Sequence, residues 1–276
     1  MTDKDLDPII EAALKEDMPG GDITSEAVVP PDSVSRAVIL AKEPGILAGL
    51  DVARRVFEKI DGRVVFHKVM EDGGSFRKGN VLARLEGPSV SLLKGERTAL
   101  NFLQRMSGIA TLTGKYVRAV KGGKTRILDT RKTTPGLRAL EKYAVRMGGG
   151  KNHRFSLSDM VLVKDNHLAF VCGIREAVRR ARDNNKPGTK IEVEVKNFNE
   201  AREAVECGAS LIMLDNMSLP VMKRVVRWVA GRVPVEVSGK VTLRRIAEIS
   251  ALGVDYISVG RLTHSFKSVD ISLEFE

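Results

Sequence analysis

The second half of the chain alternates short apolar runs with amphipathic segments, and this alternation constrains the fold more than any other feature. The apolar runs have the length of strands and lie at Ile127-Leu128, Val161–Val163, Ile191–Val195, Leu211–Leu214, Val233–Val237 and Tyr256–Val259. Helical patterns separate them, at residues 137–147, 174–184, 200–207, 221–230 and 243–252. Strand–helix alternation at this spacing predicts parallel βα units.

These βα units are fewer than the eight of a complete (β/α)₈ barrel. We therefore predict an α/β fold in which an incomplete (β/α) barrel forms a C-terminal domain over residues 109–276. An open doubly wound sheet is the alternative. Residues 88–120 have a helical pattern, and we expect a break at Gly108, which gives the boundary before the barrel.

The first part of the chain predicts a separate α+β domain over residues 1–108, which includes the linking helix. Short alternating runs between residues 35 and 85 are divided by glycine turns and indicate strands. A helix is expected at Leu50–Ile60, and another from Asp7 as N-cap with Pro8 in its first position. We expect the last residues of the chain to pack back on this domain.

Each strand-like run of the predicted barrel ends in residues that can bind a ligand. In parallel α/β folds the carboxyl ends of the strands meet at the edge where ligands bind. Any one such end could be an ordinary helix cap or turn, but together they indicate a site. The ends are Thr130-Arg131-Lys132, Lys164 with Asp165-Asn166-His167 after it, Glu194, Asp215 with Asn216 after it, Ser238-Gly239-Lys240 and Val259-Gly260-Arg261.

Five candidate residues between Ile127 and His167 are cationic or can become so: Arg131, Lys132, His153, Arg154 and Lys164. Arginine and lysine are donors without acceptor capacity, so the group suits a ligand that bears several carboxylates or phosphates. A solvated basic surface is the alternative. We favour a binding site because three consecutive glycines, 148–150, precede this segment and suit a sharp bend or a close approach to a ligand.

The run Ile191–Val195 places two glutamates, Glu192 and Glu194, on the face opposite its apolar residues. A carboxylate inside a barrel needs a cationic partner or a metal ion. Glu194 and Asp215 end neighbouring strands, and such hard oxygen ligands suit Mg²⁺, held directly or through water or a ribose. Salt bridges to Lys132 and Lys164 are the alternative.

Two late strands end in glycine before residues that can open a helix. Ser238-Gly239 precedes Thr242, and Gly260 precedes Thr263. Backbone amides at such positions can hold a phosphate, and late-strand loops are the usual place for it in a barrel. Beside a basic site, the pattern indicates a sugar phosphate.

The composition excludes several classes of protein. A net charge of +10 would fit nucleic acid, but aromatic residues are only 5% and no pattern of an RNA-binding module or zinc finger occurs, so we expect no nucleic-acid partner. The two cysteines, Cys172 and Cys207, predict neither a disulfide framework nor a zinc site. With no signal-peptide pattern and no apolar run of a membrane span, we expect a cytoplasmic protein.

Several motifs together resemble one enzyme family. In chain order they are ERTALNFLQRMSGIAT, DTRKTTPGLRALEKYAVRMGGGKNHR, LVKDNH, EVEV, LDN, EVSG and YISVGRLTHS. They closely resemble the quinolinate phosphoribosyltransferase family. The resemblance is highly specific from Glu96 onward and weaker in the first ninety residues. The resemblance implies a type II phosphoribosyltransferase-like fold, Mg²⁺ as cofactor, and a homodimer whose further assembly is left open.

The resemblance also implies a role for each candidate residue. The reaction would join quinolinate to phosphoribosyl pyrophosphate and release pyrophosphate and CO₂. Lys132, Lys164, Glu194 and Asp215 would be catalytic, and Lys240 departs from the small residue common in the family. The implied contacts are Arg131, Lys132, His153 and Arg154 with the quinolinate carboxylates, Arg97 with the partner subunit's site, Lys164 with the pyrophosphate, Glu194 and Asp215 with the ribose and Mg²⁺, and Ser238, Gly239 and Gly260 with the 5-phosphate.

Two other activities are compatible with a basic barrel site. The first is transfer of phosphoribose to another base, because one or two residues of the cavity could change the acceptor. The second is a Schiff-base lyase that uses Lys132 or Lys164. The lyase is disfavoured because both lysines lie among other cations, with a phosphate and metal set that a lyase would not need.

Overall fold

The computed structural model describes residues 2–120 and 122–276. They divide into two compact units. The first comprises Met1–Gly114, Thr133–Gly149 and Leu262–Glu276, and the second comprises Lys115–Lys132 and Gly150–Arg261.

The described residues form the following elements. The helices are α1 Asp3–Asp17, α2 Ile23–Val28, α3 Leu50–Ile60, α4 Ser89–Ala119, α5 Arg138–Met147, α6 Asp165–Leu168, α7 Gly173–Asp183, α8 Phe198–Glu206, α9 Leu219–Val229, α10 Ile246–Ala251 and α11 Arg261–His264. The strands are β1 Val34–Ala41, β2 Gly45–Ile46, β3 Val65–Lys68, β4 Ser75–Phe76, β5 Val81–Pro88, β6 Arg126–Leu128, β7 Val161–Val163, β8 Ile191–Val195, β9 Leu211–Asp215, β10 Val235–Ser238, β11 Tyr256–Ser258 and β12 Ile271–Phe275.

The first unit contains an antiparallel sheet with the strand order β12-β1-β5-β3, and a second pairing of β2 with β4. The last strand of the chain pairs with β1, with Ile39 opposite Leu273. Helix α3 covers the residues that its pattern predicts, and its buried face carries Val52, Val56 and Phe57. The unit is therefore α+β, with a core in which sheet and helix residues are fully buried.

Helix α1 begins earlier than its sequence predicts. The helix starts at Asp3, where the Thr2 hydroxyl donates to Asp5 at 2.8 Å, and Pro8 lies inside its second turn. The predicted N-cap, Asp7, instead pairs with Arg55 of α3 at 2.8 Å. The N-cap prediction was wrong because the Asp-Pro pair resembles a helix start, whereas the carboxylate serves a tertiary contact.

Gly108 does not break helix α4, which is continuous over 31 residues. A Cβ atom at this position would lie 2.3 Å from the backbone carbonyl oxygen of Lys267, in the segment that precedes β12. The glycine is needed because two backbones approach closely there, which is a second reason for glycine inside a helix. The predicted break was therefore wrong.

The second unit contains a parallel sheet of six strands in the order β6-β11-β10-β9-β8-β7. The strand of this sheet that comes first in the chain, β6, pairs with the one that comes last, β11, with Ile127 opposite Ile257, as in a barrel. A doubly wound sheet would instead reverse its strand order at a switch point. The edge strands are β6 and β7, and an isolated bridge joins Leu128 to Lys151. This confirms the α/β prediction of an incomplete barrel and rejects the open doubly wound sheet.

In the part of the chain that the structure describes, no helix has the length and apolar character needed to cross a membrane.

The close approach at Gly108 yields a test of folding. Alanine is favoured over glycine inside a helix by about 1 kcal/mol. Overpacking against an immobile carbonyl group costs about 1–3 kcal/mol. We therefore expect Gly108→Ala to lower the free energy of unfolding, measured by chemical denaturation, and Gly62→Ala, which has open space around it, to leave it nearly unchanged. An alanine at 108 that stabilised the protein would contradict the packing explanation.

Candidate active site

The carboxyl ends of the barrel strands surround a cavity of about 670 Å³ in the second unit. Eleven of the predicted site residues line it: Thr130, Arg131, Lys132, His153, Arg154, Lys164, Glu194, Asp215, Ser238, Gly239 and Lys240. The residues that were predicted from different strand ends therefore lie together at one cavity. Five further residues line it without a predicted role, namely Leu162, Met213, Asn216, Glu236 and Ser258; Asn216 had been noted only as the residue after Asp215.

Four predicted site residues do not line this cavity. Val259 and Gly260 follow β11, where Val259 is buried, and Arg261 begins α11. Arg97 lies on α4 in the first unit, with an exposed side chain. The second predicted phosphate-binding turn and Arg97 thus lie outside the cavity lining.

Asp129, immediately after β6, orients the segment that carries His153. The buried carboxylate of Asp129 accepts a hydrogen bond from the backbone N–H of His153 at 2.9 Å and another from the side-chain amide of Asn152 at 2.5 Å. Its own N–H donates to the carbonyl of Lys151. Sequence reasoning missed Asp129, although an acid at the end of a buried strand, next to predicted site residues, is a usable signal.

The hydrogen bonds of His153 fix its tautomer. The backbone N–H of Arg154 donates to Nδ1 of His153 at 2.7 Å, so Nδ1 is an acceptor and the ring proton of the neutral imidazole lies on Nε2. Nε2 lies 3.0 Å from Glu192 Oε2 and 3.5 Å from Glu236 Oε2. His153 thus directs a donor toward two carboxyl groups inside the barrel.

Glu192 and Glu236 are fully buried carboxyl groups on β8 and β10. Burial raises the pKa of Glu236, and the nearby charge of Glu192 raises it further, to about 8. The alternation along β8 had already placed Glu192 inside the barrel. The same alternation in Val235-Glu236-Val237 would have found Glu236.

Burial and a neighbouring cation destabilise the charged form of Arg154. The pKa of Arg154 is lowered, first by burial and then by the charge of Arg131, while the charge of Glu192 opposes that shift. Arg154 also donates to the carbonyl of Met160 at 3.0 Å, which fixes one side of its guanidinium group. Two guanidinium groups close together at a cavity favour an anionic ligand.

Glu194 and Asp215 lie on neighbouring strands, and each lines the cavity. Burial raises the pKa of Glu194; Asp215 raises it further, and Lys164, whose Nζ is 3.6 Å from Glu194 Oε2, opposes the rise. The two carboxylates fit a magnesium ion that keeps waters and shares ligand oxygens, because Mg²⁺ requires few protein ligands. The contact between Lys164 and Glu194 is one of the salt bridges predicted as the alternative to a metal site. It does not conflict with a metal ion, because a cation and a metal ion can share one carboxylate.

A separate group of three possible metal ligands consists of His153, Glu192 and Glu236, whose ligand atoms lie within 4.8 Å of one another. This group differs from the pair that the sequence predicted. Glu236 would have to lose its proton to bind a metal ion, because only the ionised carboxylate is a good ligand.

The turn after β9, at Asn216, packs closely against the turn after β10, at Gly239. Gly239 has a φ of +88°, and a Cβ atom there would lie 2.4 Å from the side-chain oxygen of Asn216. The amide of Asn216 in turn donates to the carboxylate of Asp215 at 2.8 Å. Lys240 also has a positive φ, of 48°, which is unfavourable for a residue with a side chain. Glycine at position 240 would therefore suit the backbone better.

The three glycines at 148–150 have other reasons than the ligand. A Cβ atom on Gly148 would lie 2.4 Å from the carbonyl oxygen of Ala110 on α4, and Gly149 has a φ of +84°. Neither residue lines the cavity. Gly148 and Gly149 therefore serve packing and the end of α5, and they are not evidence for a nearby ligand.

Two family models match the chain, one over each part of it. The chain matches the family described as quinolinate phosphoribosyl transferase, N-terminal domain, over residues 22–107, and the C-terminal domain of the same family over residues 109–274. The barrel and its cationic cavity are thus those of a phosphoribosyltransferase class. The chain belongs to the quinolinate phosphoribosyltransferase family.

Relatives resemble the chain over almost its whole length. It is 43% identical to the probable nicotinate-nucleotide pyrophosphorylase (carboxylating) of Bacillus subtilis, over 98% of this chain and 93% of that protein. It is also 43% identical to the nicotinate-nucleotide pyrophosphorylase (carboxylating) of Mycobacterium leprae, over 96% and 95% of the two chains. The crystal structure of NadC from Streptococcus pyogenes superposes with a TM-score of 0.96 at 42% identity, over 100% and 99%.

The fold alone does not select the base. The human nicotinic acid phosphoribosyltransferase structure shares the fold with a TM-score of 0.63 at 11% identity, over 92% of this chain and 72% of that one. Selection of a particular base therefore depends on the residues of the cavity.

Proposed function

We propose that the protein transfers phosphoribose from phosphoribosyl pyrophosphate to the ring nitrogen of quinolinate, with loss of the 2-carboxylate. The products are nicotinate mononucleotide, pyrophosphate and CO₂, as in the synthesis of NAD. One observation carries the proposal: Arg131, Lys132, His153, Arg154 and Lys164 line a single cavity together with two carboxylates at strand ends. Such a cavity suits an aromatic dicarboxylate and a phosphorylated sugar at once.

The cations support quinolinate as the base. Burial lowers the pKa of Arg154, and the charge of Arg131 lowers it further, so an anion bound by both residues would relieve their repulsion. Quinolinate offers two adjacent carboxylates, and Lys132 supplies a further exposed cation at the same cavity. We assign Arg131, Arg154 and Lys132 to these carboxylates. His153 would orient the quinolinate ring indirectly, through its hydrogen bond with the backbone of Arg154.

The transfer step needs positive charge to be stabilised at the ribose and negative charge at the leaving group. We assign Glu194 and Asp215 to the ribose hydroxyls and to the developing positive charge at its anomeric carbon. Lys164 would offset the charge of the departing pyrophosphate. Bound between Glu194 and Asp215, a magnesium ion would supply further charge compensation for the pyrophosphate oxygens.

The turn formed by Ser238, Gly239 and Lys240 is our candidate for the 5-phosphate. The left-handed conformation of Gly239 and Lys240 turns the backbone at the cavity edge, and successive backbone amides in such a turn can form an anion-binding concavity. Ser238 lines the cavity beside them and offers a hydroxyl donor. Gly260 and Arg261 lie outside the lining, so the phosphate site rests on the first turn.

Decarboxylation follows from the transfer itself. Once the ring nitrogen carries the ribose it is positively charged, so the bond from C2 to its carboxylate can break and leave its electron pair beside that charge. CO₂ leaves and a proton replaces it at C2. The residues of the cavity have only to hold the remaining carboxylate and orient the ring, and no nucleophilic side chain is required.

We further propose that the protein acts as a homodimer in the cytoplasm. An exposed Arg97, far along the sequence from the other site residues, is explained if it contributes to the partner's cavity. The two cysteines are free, which suits a reducing compartment. A transferase for another base remains the second candidate, since the fold is shared with an enzyme named for nicotinic acid.

The proposed activity is tested by substrate preference. We expect quinolinate to be consumed only with phosphoribosyl pyrophosphate and Mg²⁺, and nicotinate to be a poorer substrate because it lacks one carboxylate. Each lost charge-assisted hydrogen bond is worth about 1.5–3 kcal/mol, or roughly a tenfold to hundredfold loss in kcat/KM. Product formation is measured by chromatography of the nucleotide. Equal use of nicotinate would favour the second candidate.

The two carboxylates at the cavity can be tested by neutral substitutions. Glu194→Gln and Asp215→Asn remove charge that acts mainly in the transition state, so we expect turnover to fall about a hundredfold or more. The melting temperature should change little, because both side chains keep an oxygen acceptor. Glu248→Gln, an exposed glutamate of α10, is the matched control. Near-normal turnover in either site variant would make that carboxylate structural.

The role of Arg97 can be tested by mixing subunits. Arg97→Ala and Lys132→Ala homodimers should each be nearly inactive, whereas a mixed dimer has one site with both residues intact. Random exchange would restore about a quarter of wild-type activity, from the symmetry of an isologous dimer. Arg118→Ala, an exposed arginine of the same helix, is the control. Subunit exchange is verified by mass spectrometry, and no recovery after exchange would contradict an action across the dimer.

A further inference from the structure

Asn216 lines the cavity, but the proposed reaction assigns it no role. The residue follows Asp215, the last residue of β9, and has a φ of +52°. This left-handed conformation is uncommon for a residue with a side chain, although asparagine adopts it more readily than most. Residues held in such conformations often lie at functional sites, where their contacts compensate the strain.

The side chain of Asn216 orients the carboxylate of Asp215. Its amide nitrogen Nδ2 donates to Oδ2 of Asp215 at 2.8 Å. A hydrogen bond to a carboxylate is stronger than one between neutral groups. Because this bond engages one of the two oxygens, it restricts rotation of the carboxylate and fixes where the other oxygen lies. The group that we assign to the ribose hydroxyls is thus directed by its neighbour in the chain.

Asn216 also holds the turn that follows β10. Its backbone N–H donates to the carbonyl oxygen of Ser238 at 3.1 Å. Its side-chain amide lies against Gly239, where an added Cβ atom would come within 2.4 Å of Oδ1 and 2.7 Å of Nδ2. Glycine at position 239 therefore leaves the room that this amide occupies. One residue contacts both Asp215 and the turn that we assign to the 5-phosphate.

We propose that Asn216 is a positioning residue, which sets the carboxylate of Asp215 relative to the turn of residues 238–240, so that one pentose 5-phosphate group engages both. The proposal rests on the function proposed above. The ribose hydroxyls and the 5-phosphate belong to one ligand, so its two ends bind together only if their protein partners are held at a matching separation. Asn216 acts through these partners and not on the reacting atoms.

The proposal is tested by the affinities for ribose 5-phosphate and for quinolinate, each measured by calorimetry without Mg²⁺, so that the result does not depend on a metal ion. Asn216→Gly removes the amide and suits the left-handed backbone. We expect it to bind ribose 5-phosphate about tenfold or more weakly, because a hydrogen bond to a charged group is lost. Its affinity for quinolinate should equal that of the wild type, since the arginines that we assign to quinolinate are untouched.

A double-mutant cycle tests whether Asn216 acts through Asp215. Asp215→Asn makes the oriented group neutral, so adding Asn216→Gly should lower kcat/KM for phosphoribosyl pyrophosphate clearly less than it does in the wild type. The KM for quinolinate should stay unchanged in the single variant. The same factor of loss in both backgrounds would contradict an action through Asp215.

Ala230→Gly is the matched control, because Ala230 is exposed, has a φ of +47° and lies outside the cavity lining. Wild-type affinity for ribose 5-phosphate in Asn216→Gly would overturn the proposal. An equal loss of affinity for ribose 5-phosphate and for quinolinate would also overturn it, since the residue would then support the fold in general. Circular dichroism verifies folding. Should Asn216→Gly fail to fold, Asn216→Ala decides by the same measurements, because alanine adopts this conformation at position 230.

The outcome is separable from that of the proposed function. A wild type that binds neither quinolinate nor ribose 5-phosphate and releases no CO₂ contradicts the function itself. A wild type that does all three, with Asn216 variants that bind as it does, contradicts only the role of Asn216.

Discussion

The site depends on the compensation of positive charge at the cavity by carboxyl groups buried inside the barrel. Burial lowers the pKa of Arg154, and the charge of Arg131 lowers it further. Glu192, fully buried on β8, opposes that effect, and Asp129 fixes the backbone before Arg154. Without these carboxyl groups, a cluster of cations at one edge of a sheet would be unstable before any ligand bound.

The same compensation limits how much negative charge the interior of the barrel can carry. Two adjacent buried carboxyl groups cannot both ionise cheaply, and burial together with the charge of Glu192 raises the pKa of Glu236 to about 8. The barrel thus presents cations at its rim and buried carboxyl groups beside them. This division of charge suits a ligand whose own charge is concentrated on adjacent carboxylates.

The sequence predicts the position of the site because the carboxyl ends of parallel strands must meet. Lys164, Glu194 and Asp215 are brought together by that geometry alone. Alternation along β8 also places Glu192 inside the barrel. Asp129 was missed because a single acid after a strand resembles a turn residue, and its hydrogen bonds to residues 152 and 153 depend on tertiary structure.

Glycines were harder to interpret from sequence, because a close approach of backbones and a helix break have the same signature. Gly108 suggested a break but serves contact with the segment before β12, and Gly148 suggested a ligand but packs against α4. Only distances between residues far apart in the sequence separate these cases. By contrast, α3 and the strands β7 and β8 were placed at their observed ends, since apolar periodicity is local information.

The central claim is that transfer of phosphoribose precedes and causes the loss of CO₂ in a site without a nucleophile. It is tested most directly by quinolinate labelled with ¹³C separately in each carboxylate, with CO₂ and pyrophosphate measured together. The account predicts equal amounts of CO₂ and pyrophosphate, with the label lost from the 2-carboxylate alone. Release of CO₂ without phosphoribosyl pyrophosphate, or of pyrophosphate without CO₂, would contradict it.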